Sequence, residues 1–164
     1  MAFSALDAIE IHDLISSSGL VVWIDGSWAV NALLKSKKYE CNDLDLVMKL
    51  EERDEVSNIL ITHGFRVSAN YDPESKRGFK HDSRELNIEI HLVKFDKNGN
   101  AIRTFKDRPK KEYNRYDKSF FSGTGVINAT EVSCLSAYAL LEQYKKASRN
   151  QRDYSIINDL NKLL

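Results

Sequence analysis

Leu20-Val21-Val22-Trp23-Ile24 runs without a spacer into Asp25-Gly26-Ser27 and then into an apolar-periodic segment through Trp28, Val30, Leu33 and Leu34. A short β-branched run of this kind predicts a buried strand. A glycine turn that feeds it straight into a helix restricts the chain to folds in which strands and helices pack as layers. The flanking segments agree. Ser4 is placed to cap a first helix, Leu6, Ile9, Ile11, Leu14 and Ile15 give it an apolar face, and Gly19 stops it.

After a polar loop over 35–42, Leu44 to Met48 alternate as a second strand. Residues 51–63 predict a helix with Val56, Ile59 and Leu60 inward and Gly64 as its cap. Phe65 to Ala69, Gly78 to Asp82 and Leu86 to Lys94 predict three more strands, the first two separated by a polar loop at Pro73. Asn98-Gly99 is a hairpin signal leading into a strand at 101–105. Residues 106–118 are basic and tyrosine-rich without periodicity. Residues 120–134 predict strand and turn, with Gly123-Thr124-Gly125 a turn, and two helices close the chain at 136–147 and 151–163.

The 164 residues suit one compact unit, with no internal repeat or linker. Lys plus Arg balance Asp plus Glu at 24 each, which argues against bulk electrostatic binding to nucleic acid or to a membrane. Lys110, Lys111, Arg115, Tyr113 and Tyr116 therefore read as a solvated loop rather than a nucleic-acid patch. No run approaches the roughly 18–20 apolar residues of a membrane span. The acidic opening residues (Asp7, Glu10, Asp13) do not read as a signal peptide, and Cys41 and Cys134 offer neither a disulfide framework nor a zinc pattern. A reducing, cytoplasmic setting is expected.

The chemistry concentrates in three places. Asp43 and Asp45 are two apart at the start of a strand, so their carboxylates project to the same face. Two like charges held together are costly unless a cation compensates or one is protonated, and paired hard oxygens suit Mg²⁺ or Mn²⁺ bridging the phosphates of a nucleotide. The Gly26-Ser27 turn allows close backbone approach to a phosphate, offers N–H groups and a hydroxyl, and opens a helix whose dipole favours anions. Asn87-Ile88-Glu89-Ile90-His91 alternates as a strand, and beside the aspartate strand Glu89 becomes a third carboxylate, able to ligate metal or take a proton from a hydroxyl. The bland alternatives are a solvated Asp-x-Asp turn, an ordinary helix cap and a water-facing glutamate. Their occurrence in this order is what favours a site.

That order resembles the nucleotidyltransferases of the DNA polymerase β superfamily: Gly-Gly or Gly-Ser, a gap, Asp-x-Asp, and a distal acidic residue. The chain is most similar to the small lincosamide nucleotidyltransferases, then to the aminoglycoside 2″-adenylyltransferases. Trp23-Ile24-Asp25-Gly26-Ser27-Trp28-Ala29-Val30 resembles their Trp-hydrophobic-Asp-Gly-Gly-Trp-Gly-Val segment, and fifteen residues separate Ser27 from Asp43, as expected there. Phe79-Lys80-His81-Asp82 before Ile88-Glu89-Ile90-His91 resembles Leu-Lys-His-Glu before Leu-Asp-Ile-His, and Phe120-Phe121-Ser122, Cys134-Leu135-Ser136 and 153–160 match later landmarks.

The resemblance implies an α/β (α+β) nucleotidyltransferase fold: a mixed, twisted sheet flanked by helices, packed mainly on one side. It divides as a catalytic core over 1–134 and a small C-terminal helical part over 135–164. Asp43 and Asp45 would hold Mg²⁺ or Mn²⁺ with Glu89, which would also be the general base. Gly26, Ser27 and Lys80 would bind the nucleoside triphosphate, ATP being the expected donor. Trp28, His81 and His91 are candidates for contact with a small-molecule hydroxyl acceptor, with packing as the plain reading of each. Lys145, Lys146, Arg149 and Arg152 read as helix-end charges, one of which could reach the triphosphate. A protein or tRNA acceptor, or a non-catalytic nucleotide- or partner-binding role, are the rival readings, and a homodimer stays open. Three departures stand out: Glu89 for the usual Asp, Ser27 for the second Gly, and a diverged 106–118 segment.

Overall fold

The computed structural model describes residues 3–72, 74–103, 115–147 and 149–164. Helix α1 (Ala5–Ser17) opens on a reciprocal cap: the Asp7 amide donates to Ser4 Oγ at 3.1 Å, and the Ser4 amide donates to Asp7 Oδ2 at 3.0 Å. Such a box satisfies two otherwise orphaned N–H groups and contributes about 1 kcal/mol. Strand β1 (Val22–Ile24) starts two residues later than the apolar run predicts and leads into α2 (Gly26–Leu34). There follow β2 (Leu44–Lys49), a short 3₁₀ turn, α3 (Arg53–Thr62), β3 (Phe65–Asp72), β4 (Lys76–His81) and β5 (Asn87–Phe95). Strands β6 (Ala101–Ile102), β7 (Arg115–Tyr116), β8 (Gly123–Ile127) and β9 (Thr130–Cys134) precede the closing helices α4 (Ala137–Ala147) and α5 (Gln151–Asn161).

The fold is thus a mixed sheet flanked by helices, in the strand order β3-β4-β5-β2-β1-β9-β8, with β6 and β7 branching from β5. Pairs β2–β5 and β1–β9 are parallel, and the remaining pairs are antiparallel. The β3–β4 hairpin lies in sequence between β2 and β5, so the chain must cross over to bring those two strands side by side. Register then separates the two faces. Ile24, Leu44, Leu46, Met48, Ile88, Ile90, Leu92 and Phe79 share one face and are buried. Asp45, Glu89, His91, Lys76 and Trp23 share the other.

Leu140, Leu141, Ile156 and Leu160 of the closing helices join the same buried cluster as the strands. Gly123-Thr124-Gly125, expected as a turn, is instead the start of β8, paired antiparallel with Val132 to Cys134 of β9; glycine fits at 125 because α2 lies so close that a side chain there would meet Ala32 at 2.6 Å. The polar loop expected after Ala69 is mostly strand, since β3 runs on to Asp72 and β4 begins at Lys76, paired to each other there. Pro73, the part of the expected 101–105 strand beyond 103 and residues 106–114 of the 106–118 segment lie outside the described residues. No helix among the described residues is long and apolar enough to cross a membrane.

Candidate active site

The parallel β2–β5 pair builds the centre. Asp45 stands directly across from Glu89, and Val47 from His91. One ligand atom from each of Asp45, Glu89 and His91 lies within 4.8 Å of the others. His91 Nε2 is 3.5 Å from Glu89 Oε1 and 3.8 Å from Asp45 Oδ1. On the other flank, β4 places Gly78 across from Glu89 and Lys76 across from His91, and Lys76 Nζ reaches Glu89 Oε2 at 2.7 Å.

Asp43 does not join that group of three. It precedes Leu44, the first residue paired with β5, so no ladder bond holds it, and it is exposed. It is still electrostatically part of the centre: desolvation, then the charges of Asp45 and Glu89, push its carboxyl above the ordinary range.

The turn between β1 and α2 is pressed against this centre. Asp25 N donates to the Asp45 carbonyl at 2.8 Å, and Asp25 Oδ1 accepts from Gly26 N at 2.7 Å. Gly26 has φ +61°, and a Cβ there would lie 2.7 Å from Asp45 Oδ2. Only glycine both adopts this backbone readily and leaves room for the carboxylate. Asp25 is buried, and burial, reinforced by Asp45, pushes its carboxyl up, with His91 opposing.

Ser27 faces a different group. Arg152 of α5 donates from Nη2 to Ser27 Oγ at 2.7 Å and to the Glu40 carbonyl at 2.8 Å, and its guanidinium stands 5.9 Å from the Tyr39 ring centre. Ser27, Asn42, Asp43 and Arg152 line a cleft of about 350 Å³. A second cleft, of about 200 Å³, is lined by Asp25, Gly26, Asp45, His91, Gln143 and Tyr144.

The other sequence-derived residues separate. Lys80 is exposed on the carboxylate face of β4, two residues from Gly78 and opposite Asn87. His81 has the parity of Phe79 and so lies on the opposite face. There its Nδ1 accepts from the amides of Ser83 and Arg84 at 3.2 and 3.1 Å, and its ring packs edge-on against Phe65. Trp28 is 3% exposed, packed against Phe3, and its indole N–H has no partner among the described residues. The sequence marks neither Lys76 nor Gln143, and it shows Asp25 only as part of the turn before α2, not as a member of the site. Lys76 shares the parity of Lys80, but only the β4–β5 register shows that it meets Glu89.

A Gly-Ser turn before a helix, paired carboxylates on adjacent parallel strands and a cleft beside them that Arg152 lines together with Glu40 and Asp43 fit a nucleotidyltransferase. The sequence model of the aminoglycoside-2″-adenylyltransferase family matches residues 7–157, and the chain belongs to that family. A lincosamide resistance protein from Staphylococcus haemolyticus is 22% identical over 150 residues, spanning 92% of this chain and 89% of that protein. Among solved structures, the lincomycin-bound lincosamide antibiotic adenylyltransferase LnuA superposes with a TM-score of 0.81 at 20% identity, covering 100% of both chains. ANT(2″)-Ia in complex with adenylyl-2″-tobramycin superposes with a TM-score of 0.72 at 18% identity, covering 95% of this chain and 86% of that one.

Proposed function

We propose that this protein transfers an adenylyl group from ATP to a hydroxyl of a lincosamide antibiotic, with Mg²⁺ or Mn²⁺, an aminoglycoside hydroxyl being the next acceptor to test. The observation that carries this reading is the pairing of Asp45 with Glu89 across two parallel strands, with Gly26 closed against Asp45. The family match, a relative named for lincosamide resistance and neighbours solved with lincomycin and with adenylyl-2″-tobramycin support the choice of acceptors.

The donor set fits a hard divalent cation. Asp45 and Glu89 supply carboxylate oxygens with His91 Nε2 within reach, and Asp43 adds a further carboxylate close enough to be perturbed by both. Bound there, the cation supplies positive charge that offsets the charge developing on the transferring group. The remaining work falls to side chains. Ser27 and the N-terminal turn of α2 face the phosphates, and Arg152 in the same cleft neutralises them. Glu89 takes the proton from the acceptor hydroxyl as its oxygen attacks the α-phosphorus in line and pyrophosphate leaves. Lys76 holds one oxygen of that carboxylate, and His91 Nε2 stands 3.5 Å from the other. In this reading residues 1–134 hold the carboxylates, and 135–164 close over them with Gln143, Tyr144 and Arg152.

Incubation with Mg²⁺, each ribonucleoside triphosphate and a panel of lincosamides and aminoglycosides, read by mass spectrometry, tests the proposal. The expected product is one acceptor heavier by one adenylyl group, absent with Asp45→Asn that keeps wild-type melting. Absence of product with every acceptor, or full activity of Asp45→Asn, would sink it.

A further inference from the structure

Trp28 follows Ser27 directly, yet it stands apart from the carboxylates. Ser27 turns to Arg152, whereas Trp28, Asn31 and Lys35, spaced three and four apart, form a separate stripe along α2 and its C-terminal cap. That stripe is one wall of a cavity of about 290 Å³, which Ala5, Lys37 and the β8–β9 turn at Asn128 and Ala129 help to close. No carboxylate lines it, and neither does any residue of α4 or α5.

The cavity carries an unmet donor. The indole N–H of Trp28 is buried and has no partner among the described residues, whereas that of Trp23, the chain's other tryptophan, donates to the Phe121 carbonyl at 3.0 Å. Leaving a buried donor unmet is costly, so a group that supplies an acceptor binds favourably. Asn31 is committed elsewhere: its Nδ2 donates to the Tyr39 carbonyl at 2.7 Å and its Oδ1 accepts from Tyr39 N at 3.0 Å. Lys35 and Lys37 bring positive charge to the lining and form no ion pair among the described residues. Asn128 and Ala129, the two turn residues between the paired Ile127 and Thr130, have φ +46° and +65°. A turn of this hand favours glycine at its second position, so Ala129 strains the backbone while it adds a methyl to the wall.

We infer that this cavity is a second ligand site, separate from the carboxylate centre, and that it takes a small organic carboxylate with an apolar body. The carboxylate accepts from Trp28 Nε1 and is neutralised by Lys35 and Lys37, and the apolar body packs on Ala5, Val126 and Ala129. The volume is at the lower end for small-molecule sites, which limits the ligand to about one ring.

The test is an NMR titration of ¹⁵N-labelled full-length protein. Its two indole N–H signals are assigned with Trp23→Phe, and benzoate, 4-hydroxybenzoate and hexanoate are added in turn, with benzyl alcohol as the uncharged comparator. At least one carboxylate should shift the Trp28 signal downfield and saturably while the Trp23 signal stays in place. Benzyl alcohol should bind more weakly by about fivefold or more, and Lys35→Met combined with Lys37→Met should weaken the carboxylate by about fivefold, since both lysines are at least partly solvated. No saturable shift with any of the three carboxylates, benzyl alcohol binding as tightly, or full affinity in the double-lysine variant would overturn the assignment. So would a Trp28 signal that moves only with ATP or lincomycin, which would place Trp28 in the transfer reaction instead.

Discussion

Gly26→Ala separates catalytic geometry from stability. The residue sits at φ +61°, where a side chain costs about 1–2 kcal/mol. The added Cβ would also lie 2.7 Å from Asp45 Oδ2, whereas ordinary contact begins at 3.4 Å, so the carboxylate must move by about 0.7 Å (3.4 minus 2.7). The clashing atom is the tip of a half-buried side chain, and moving it costs the fold little. That tip is also a proposed metal ligand and the neighbour of Glu89 and His91, and misplacement by close to 1 Å costs on the order of 10²-fold in rate. The expected outcome is a melting temperature lower by about 2–8 °C, as 1–2 kcal/mol gives in a chain of this size, with kcat down by about two orders of magnitude.

Gly64→Ala is the comparator. Gly64 has φ +87°, and its added Cβ would lie 2.8 Å from His81 Nε2, so the stability loss is similar, but the displaced ring is on the opposite face of the sheet. Thermal unfolding and steady-state transfer measured on both variants decide the matter. Equal activity losses, or a Gly26→Ala enzyme within twofold of wild type, would refute the reasoning.

The remaining expectations concern the supports of the site. Asp159 accepts from Tyr39 Oη at 2.6 Å and pairs with Lys38 and Lys162, and these donors pull its carboxyl down to about 2. A carboxyl depressed on folding stabilises above its unfolded value and loses that contribution as pH falls. Asp159→Asn should therefore destabilise by about 2 kcal/mol at neutral pH, and urea titrations should converge with wild type between about pH 4 and pH 2. Burial pushes the thiols of Cys41 and Cys134 up to about 11 and 12, so iodoacetamide at pH 8 should label neither before unfolding and both after it. Lys76→Met removes the ammonium that holds Glu89 Oε2, and kcat should fall about tenfold with the KM for ATP nearly unchanged, while Lys76→Arg recovers most of the loss. A change in KM alone would argue that Lys76 contacts the nucleotide.

Much of this site was legible because strands have a period of two. Leu44-Asp45-Leu46 and Ile88-Glu89-Ile90 each bury their flanking residues, and that alone turns both acids to the other face. What period cannot supply is adjacency. That β2 lies beside β5 follows from the crossover around the β3–β4 hairpin; His91 shares the face of Glu89 by spacing alone, whereas Lys76 enters the centre only through the β4–β5 register. Parity also separates Lys80 from its neighbour: with Phe79 buried inward, His81 must share its face. For Asp43 the two-residue spacing is less decisive: it stands just before the ladder and lines the cleft of Ser27 and Arg152, while its carboxyl still feels the charges of Asp45 and Glu89. Arg152 read as one of four helix-end charges of which one could reach the triphosphate, and nothing local singles it out, because only the fold returns α5 to the start of α2.

The most direct measurement of the central claim is the chemical step itself. A rapid-quench single turnover, with enzyme in excess over labelled ATP and saturated with Mg²⁺ and the accepted antibiotic, compares wild type with Glu89→Gln. If Glu89 takes the acceptor proton, the variant should transfer about 10²–10⁴-fold more slowly while binding both substrates within a few-fold of wild type. An unchanged rate of adenylyl transfer would contradict the assignment of Glu89 as the base.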